Sequence, residues 1–243
     1  MKFAATPPYD GTLATFYKVP EECCFVLPPS LSLEEAALVE PMAVAVHCCK
    51  LGKVSPGKRL VIFGAGAIGL LCGAVAKAFG ATNVLLVDVF QDRIDFAKEH
   101  LHLDAQIWSA DTPDDEQYEI LQKQLGTPNT GADVVVEASG SPLCMQRAVA
   151  ILSKGGTIVQ VGLGMNLVQF PMGDLCVKEA TLRGSFRYGP GDYATAISLL
   201  GSGRVDVKPL ISKTYPFENA EAAFRDSFEK KGIKQVIYGP AQV

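Results

Sequence analysis

Arg59-Leu60-Val61-Ile62-Phe63-Gly64-Ala65-Gly66-Ala67-Ile68-Gly69 is the stretch on which the fold turns. An unbroken apolar run ends in Gly-x-Gly-x-x-Gly. Then Ile68, Leu71, Cys72, Val75, Ala76 and Phe79 recur at helical spacing until Gly80 closes the pattern. A buried strand entering a helix through glycines is the pattern that receives a diphosphate. Gly64 permits the tight turn, Gly66 presents no side chain to the phosphates, and Gly69 lets helix and strand approach closely. The helix N-terminus offers free N–H groups and a partial positive charge. Nineteen positions after Gly69, Asp88 ends the next apolar run, Leu85-Leu86-Val87-Asp88. A carboxylate there can accept both hydroxyls of an adenosine ribose and would repel a 2′-phosphate, so NAD is expected rather than NADP. Arg93 can neutralise Asp88, pack over the adenine, or simply be solvated. A methyltransferase shares the glycine loop and the acid; the full Gly-x-Gly-x-x-Gly with a long apolar helix favours a dinucleotide.

Working outward, short apolar runs at 59–63, 84–88, 105–108, 133–138, 157–161 and 181–186 alternate with helical patterns at 67–79, 93–100, 142–152 and 193–201. An earlier helix at 42–50 is expected to open on Pro41. Runs that do not alternate polar with apolar belong to strands covered on both faces. The fold class is therefore α/β, a doubly wound parallel sheet of the Rossmann type. The proline-rich first 40 residues carry extended pieces at 13–19 and 23–27. Beyond 205 come a piece at 213–217, a helical patch at 218–228 and a strand at 234–238. The domain expectation is 1–40, 41–205 and 206–243, with the middle segment binding the cofactor.

Composition agrees with a globular chain. The 243 residues are 48% hydrophobic and 20% charged, with net charge −4, which excludes a disordered chain and argues against a nucleic-acid binder. No apolar run is long enough to span a bilayer and the N-terminus carries no signal core, so the expected compartment is the cytoplasm, with no membrane partner. Seven cysteines, none spaced Cys-x-x-Cys, argue against a disulfide scaffold or a self-contained zinc site; most, Cys72 among them, read as buried thiols. His47 lies mid-helix, His100 and His102 flank a turn, and Trp108 ends a strand.

The stretches Lys2-Phe3-Ala4-Ala5-Thr6-Pro7-Pro8-Tyr9-Asp10-Gly11-Thr12-Leu13, Ala37-Leu38-Val39-Glu40-Pro41, the glycine loop, Gly184-Ser185-Phe186-Arg187-Tyr188-Gly189 and Arg204-Val205-Asp206-Val207-Lys208-Pro209-Leu210-Ile211 together resemble the zinc-containing medium-chain dehydrogenases, in their polyol branch. The likeness runs nearly end to end. It implies NAD contacts at Gly64, Gly66, Ile68, Gly69, Asp88, Arg93, Val161, Gly162, Leu163, Ser185, Phe186 and Arg187. It implies a polyol held by Arg187 and Tyr188 near Glu40, with Glu40 touching the catalytic zinc, its water or the substrate. The implied reaction is zinc-assisted hydride transfer from a polyol such as xylitol, sorbitol or L-arabinitol to NAD, giving a ketose. Locally, Glu40 reads only as the residue before a helix, and Arg187 and Tyr188 as a surface arginine and an interface tyrosine.

The resemblance also implies a GroES-like catalytic domain supplying a Cys and a His-Glu pair to zinc. No counterpart of these ligands occurs in this sequence. The two ends are expected to be remnants of that domain, the chain an N-terminally truncated form inactive alone or nearly so, and zinc binding not to be retained. The remnants at 23–27 and 213–217 should lack partner strands and expose apolar surface. Family members pair through the last strands of the sheet, here about 169–186, so a homo-oligomer is expected. The alternatives are a non-catalytic NAD-binding module and a zinc-free, NADPH-dependent reductase of the same superfamily.

Overall fold

The computed structural model describes residues 4–240; the Lys2-Phe3 start of the first matching stretch lies outside them. These residues form two compact units. One is Leu38–Asp206, and the other joins the described residues up to Ala37 with those from Val207 onward.

In Leu38–Asp206 six parallel strands alternate with helices: α2 (Val39–Leu51), β1 (Arg59–Phe63), α3 (Ala67–Ala78), β2 (Asn83–Asp88), α4 (Gln91–Leu101), β3 (Asp104–Ile107), α5 (Asp114–Gln124), β4 (Ala132–Glu137), α6 (Pro142–Ile151), β5 (Leu152–Gln160), α7 (Met172–Val177), β6 (Thr181–Gly184) and α8 (Asp192–Gly201); a short α1 (Leu33–Ala36) precedes them in the other unit. The strand order is β3-β2-β1-β4-β5-β6, the doubly wound order of a dinucleotide fold. The chain builds outward from β1 to β3, returns, and builds the other way from β4 to β6. The reversal lies between β1 and β4, which pair in register from Leu60 with Val134 to Phe63 with Glu137.

Both sheet faces are covered, as the continuous apolar runs require. Val61, Phe63, Leu85, Val87 and Val135 pack with Leu121 and Leu125 from α5 and its end and with Met145, Ala148 and Val149 of α6. Trp108 joins this layer edge-on to Phe63, ring centres 6.0 Å apart. On the alternate residues Leu60, Ile62 and Leu86 are equally buried; here α2 and α3 close over the sheet, with Gly52 against Val134 and Val159 and Gly73 against Leu86. Cys72 is buried in that layer.

Several boundaries differ from the sequence expectation. Helix α2 begins at Val39, so Pro41 is its third residue and Glu40 its second. The first four N–H groups of a helix have no intrahelical acceptor, so a proline anywhere in that turn sacrifices nothing. Strand β6 stops at Gly184 rather than at 186, because Arg187 turns the chain at a φ of +57°. Strand β5 starts earlier than 157, with a register shift before Thr157 that leaves the Ser153-Lys154-Gly155-Gly156 stretch outside the ladder. Helices α5 and α7 had not been expected.

In the other unit the extended pieces at 13–19 and 23–27 are not strands; the regular structure among them is a 3-10 turn at Glu21–Cys23. Phe16 and Val26 are more than nine-tenths exposed, as expected of apolar residues without a ladder partner. The piece at 213–217 does have one: β7 (Ile211–Tyr215) pairs in parallel with β8 (Lys234–Ile237) around α9 (Ala220–Phe228). Ser32 and Glu35 cap α1 reciprocally, and the Tyr238 hydroxyl donates to Glu34 Oε1 at 2.7 Å. Among the described residues no helix is long and apolar enough to cross a membrane.

Candidate functional site

The glycine loop leaves β1 at the sheet reversal. Gly64 has a φ of +99°, and a Cβ on it would lie 2.9 Å from the Ser139 amide nitrogen, so the β1–α3 turn and the turn after β4 pass at backbone contact. A Cβ on Gly69 would lie 1.8 Å from the Gly64 carbonyl oxygen: helix and loop touch there with no room for a side chain. A Cβ on Gly66, the N-cap of α3, would meet nothing within 4 Å. The space above Gly66 is thus an open cradle facing the first N–H groups of α3, and a diphosphate fits it. Ile68 is half-buried in the first turn of that helix.

Asp88 ends β2 with its side chain almost fully buried. Its Oδ2 accepts the Ala65 N–H at 2.7 Å and one Arg93 N–H at 3.3 Å, and its Oδ1 accepts the N–H groups of Val89 and Phe90 at 2.8 and 3.1 Å. The acid therefore fixes the glycine loop from below while standing beside it. Arg93 also lies over the Phe90 ring, 4.9 Å from its centre. Arg93 thus pairs with Asp88, as one of its expected roles requires, and carries an aromatic ring beside the acid that the sequence had not suggested.

On the other half of the sheet, Val161, Gly162 and Leu163 follow β5. The amides of Val161 and Gly162 donate to the main-chain oxygen of Glu137 at 2.9 and 2.8 Å. Gly164 passes so close to Gly140 that a Cβ would lie 2.0 Å from the Gly140 carbonyl oxygen. Leu163 itself is exposed. Ser185 is buried, its amide donating to Gln160 O at 2.7 Å and its hydroxyl 3.4 Å from Cys48 Sγ; hydrogen bonding from Cys72 lowers the Cys48 thiol pKa against the raising effect of burial. Phe186 is exposed and Arg187 lies over its ring.

Glu40, Arg187 and Tyr188 come together as a second group. Arg187 Nη1 is 3.9 Å from Glu40 Oε1, and Tyr188 meets Tyr193 edge-on with ring centres 4.8 Å apart. Burial first, and the neighbouring Tyr188 and Glu40 after it, raise the Tyr193 hydroxyl well above the ordinary phenol range. It remains a neutral donor at physiological pH. The turn is anchored by Asp192, at the start of α8 and nearly fully buried. Its Oδ2 accepts the Gly189 N–H at 2.7 Å and lies 2.8 Å from His47 Nδ1, while Oδ1 takes Lys50 Nζ at 2.7 Å. Tyr193, Asp192, His47 and Glu137 were not among the site residues read from the sequence. An Asp opening a helix and a His inside one look ordinary until α2 and α8 are known to be neighbours.

Among the described residues no three His, Cys, Asp or Glu side chains converge as a metal site. Glu40 has Arg187 rather than further ligands beside it, and a zinc ion held by three protein ligands does not fit these residues.

The sequence profile of the zinc-binding dehydrogenases matches residues 67–202, more than half of the chain. A protein named probable D-xylulose reductase A from Neosartorya fischeri is 47% identical over 243 residues, covering 98% of this chain and 66% of its own length. An Escherichia coli oxidoreductase/dehydrogenase of unknown specificity superposes with a TM-score of 0.87 at 33% identity, covering 96% of this chain and 66% of its own. L-idonate 5-dehydrogenase from Escherichia coli gives a TM-score of 0.84 at 31% identity, covering 96% and 65%. The chain thus spans about two thirds of the length of the proteins it matches.

Proposed function

This chain belongs to the zinc-binding dehydrogenases, and from that membership we propose that it binds NAD and serves the oxidation of a polyol to a ketose by hydride transfer. The observation that carries the reading is the pairing of an open cradle above Gly66 with a carboxylate, Asp88, fixed beside it. Bound NAD supplies the hydride acceptor. The chain's own residues position it. The loop at Gly64, Gly66 and Gly69 and the first turn of α3, with Ile68, take the diphosphate. Asp88 takes the adenosine ribose, and Arg93 with Phe90 flanks the base. Val161, Gly162, Leu163, Ser185, Phe186 and Arg187 lie along the rim of the second half-sheet, where ligands of open α/β sheets sit. Arg187 and Tyr188 donate to polyol hydroxyls, with Glu40 as an acceptor beside them. Asp88 disfavours a 2′-phosphate, so the zinc-free NADPH reductase is the weaker reading. Relatives named probable D-xylulose reductase A point to D-xylulose as the ketose, and xylitol is a polyol that gives it on oxidation.

Calorimetry of the 243-residue chain with NAD tests the cofactor: one-site uptake supports the reading, and no uptake by folded protein refutes it. Because the described residues do not fit a zinc site, the same preparation is expected to retain no stoichiometric zinc and to oxidise xylitol, sorbitol and L-arabinitol at background rate. Zinc-dependent xylitol oxidation by this chain would refute that. NAD uptake without turnover is also what a non-catalytic NAD-binding module would give. Restoring turnover by adding a relative's zinc-bearing segment separates the two.

A further inference from the structure

Glu137 ends β4 at the sheet reversal with none of its surface exposed. Its Oε1 accepts the Ser139 N–H at 2.8 Å, the Ser139 hydroxyl and the Gly140 N–H at 3.1 Å. Its Oε2 accepts the same Gly140 N–H at 3.1 Å and a Gln160 amide N–H at 2.6 Å. Every bond is received and none given, the pattern of a carboxylate. None of the ion pairs among the described residues includes it, whereas Asp88, the acid that ends β2, has Arg93. Gln160 also donates to Gly162 O at 2.7 Å, so the carboxylate ties the turn after β4 to the turn after β5. Donors converge on both oxygens, which a carboxylate accepts and an amide, with one oxygen, would not. The geometry thus places a buried negative charge without a counter-ion at the sheet reversal.

We propose that Glu137 sets the redox preference of the cofactor site: its buried negative charge favours oxidised NAD, whose nicotinamide ring is cationic, over the neutral ring of NADH. The inference rests on the cofactor reading above. With Asp88 placing adenosine over β1–β3, the second mononucleotide half falls to β4–β6, over the two turns that Glu137 joins. A charge shielded from water acts there at low effective dielectric, and hydride uptake removes the charge it favours.

The test is the dissociation constant of the 243-residue chain for NAD and for NADH, in wild type, Glu137→Gln and Gln160→Lys, each checked for folding by circular dichroism. Glu137→Gln removes the charge and keeps the volume, its NH2 replacing one of the two accepting oxygens. Gln160→Lys keeps the carboxylate and brings an ammonium to the amide position that now donates to it. In both, affinity for NAD relative to NADH is expected to fall by roughly fivefold or more; where Glu137→Gln does not fold, Gln160→Lys carries the measurement. Folded variants whose NAD/NADH ratio stays within about twofold of wild type overturn the proposal, including variants that lose both forms equally, the result a purely structural role would give. Wild-type protein that takes up neither form overturns the cofactor reading and, with it, this one.

Discussion

A Cβ at Gly69 collides with a carbonyl, whereas one at Gly66 enters open space, so two substitutions in one loop should separate folding from binding. Gly69→Ala must push α3 off the loop and is expected to lower stability by about 2 kcal/mol or more, seen as a reduced denaturant midpoint. Gly66→Val leaves contacts inside the protein intact and is expected to melt within a few degrees of wild type. It should nonetheless lose at least about tenfold in NAD affinity, because its methyls occupy the phosphate cradle. A large loss of stability in Gly66→Val, or none in Gly69→Ala, contradicts the assignment. These roles could be read from spacing because a tight turn, a close approach and a helix contact each demand glycine. Arg93, five residues on, could be read as a neighbour of Asp88; the main-chain donors that Asp88 receives could not. Its hold on the Ala65 N–H joins residues 23 positions apart, and only the parallel register of β1 and β2 brings them together. Glu137 was missed for the same reason: a single acid at the end of an apolar run carries no sign of which turns it will receive.

At the level of elements, two polar anchors hold helices whose ends would otherwise be unsatisfied. Lys178 Nζ donates to the main-chain oxygens of Val149, Ala150 and Leu152 at 2.7–2.8 Å, closing the C-terminal turn of α6. Burial lowers its pKa, partly opposed by Asp174. Lys178→Met is expected to destabilise the protein by about 1–2 kcal/mol, as orphaned helix carbonyls do, measured by urea unfolding. Asp192 does the same for the Arg187-Tyr188-Gly189 turn. Burial raises its pKa, but the bonds from Lys50, the Gly189 N–H and His47 outweigh that and leave it below the usual aspartate value. A folded-state pKa below the unfolded one contributes stability above the unfolded value, which is lost as pH falls through the folded one. Wild type should therefore lose melting temperature below about pH 4 more steeply than Asp192→Asn; parallel curves would show that Asp192 does not contribute in this way. Strands β1, β2 and β4 were legible to within a residue because almost every position in them is buried and must be apolar; the start of β5 and the end of β6, where the residues are largely exposed, were not. Helix α5 was not, because its sequence is acidic and polar over most of its length and only Gln117 and Leu121 are buried. Its place is set by the layer formed with Trp108 and α6.

For the whole molecule, the two units differ in how they are held. The sheet of Leu38–Asp206 has an apolar layer on each face, whereas the segment before Ser32 offers backbone turns and exposed Phe16 and Val26. Brief trypsin or thermolysin treatment is expected to cut first before residue 32 and to leave 38–206 intact on a gel; early cleavage inside the sheet would contradict this. The sheet itself ends in β6, whose four residues are all exposed and whose outer edge has no strand beside it among the described residues. Leu182 on that strand and Val177 just before it are exposed apolar side chains on the same border. Leu163, Met165 and Leu167 add exposed apolar side chains in the loop that precedes them. An open parallel edge with apolar neighbours is a template for another strand, and a second copy of the same edge supplies one by two-fold symmetry. The chain is therefore expected to run as a dimer in light scattering after size exclusion. Leu182→Lys places a charge on the edge without touching the buried layers, since Leu182 is already 39% exposed. That variant should melt close to wild type yet shift toward monomer by about tenfold or more in dimer dissociation constant, and it should retain NAD uptake because Leu182 is not among the residues assigned to the cofactor and the glycine loop leaves β1, three strands away. A wild-type monomer at tens of micromolar, or a Leu182→Lys dimer of unchanged affinity, would mean that this edge is closed by something other than its own copy.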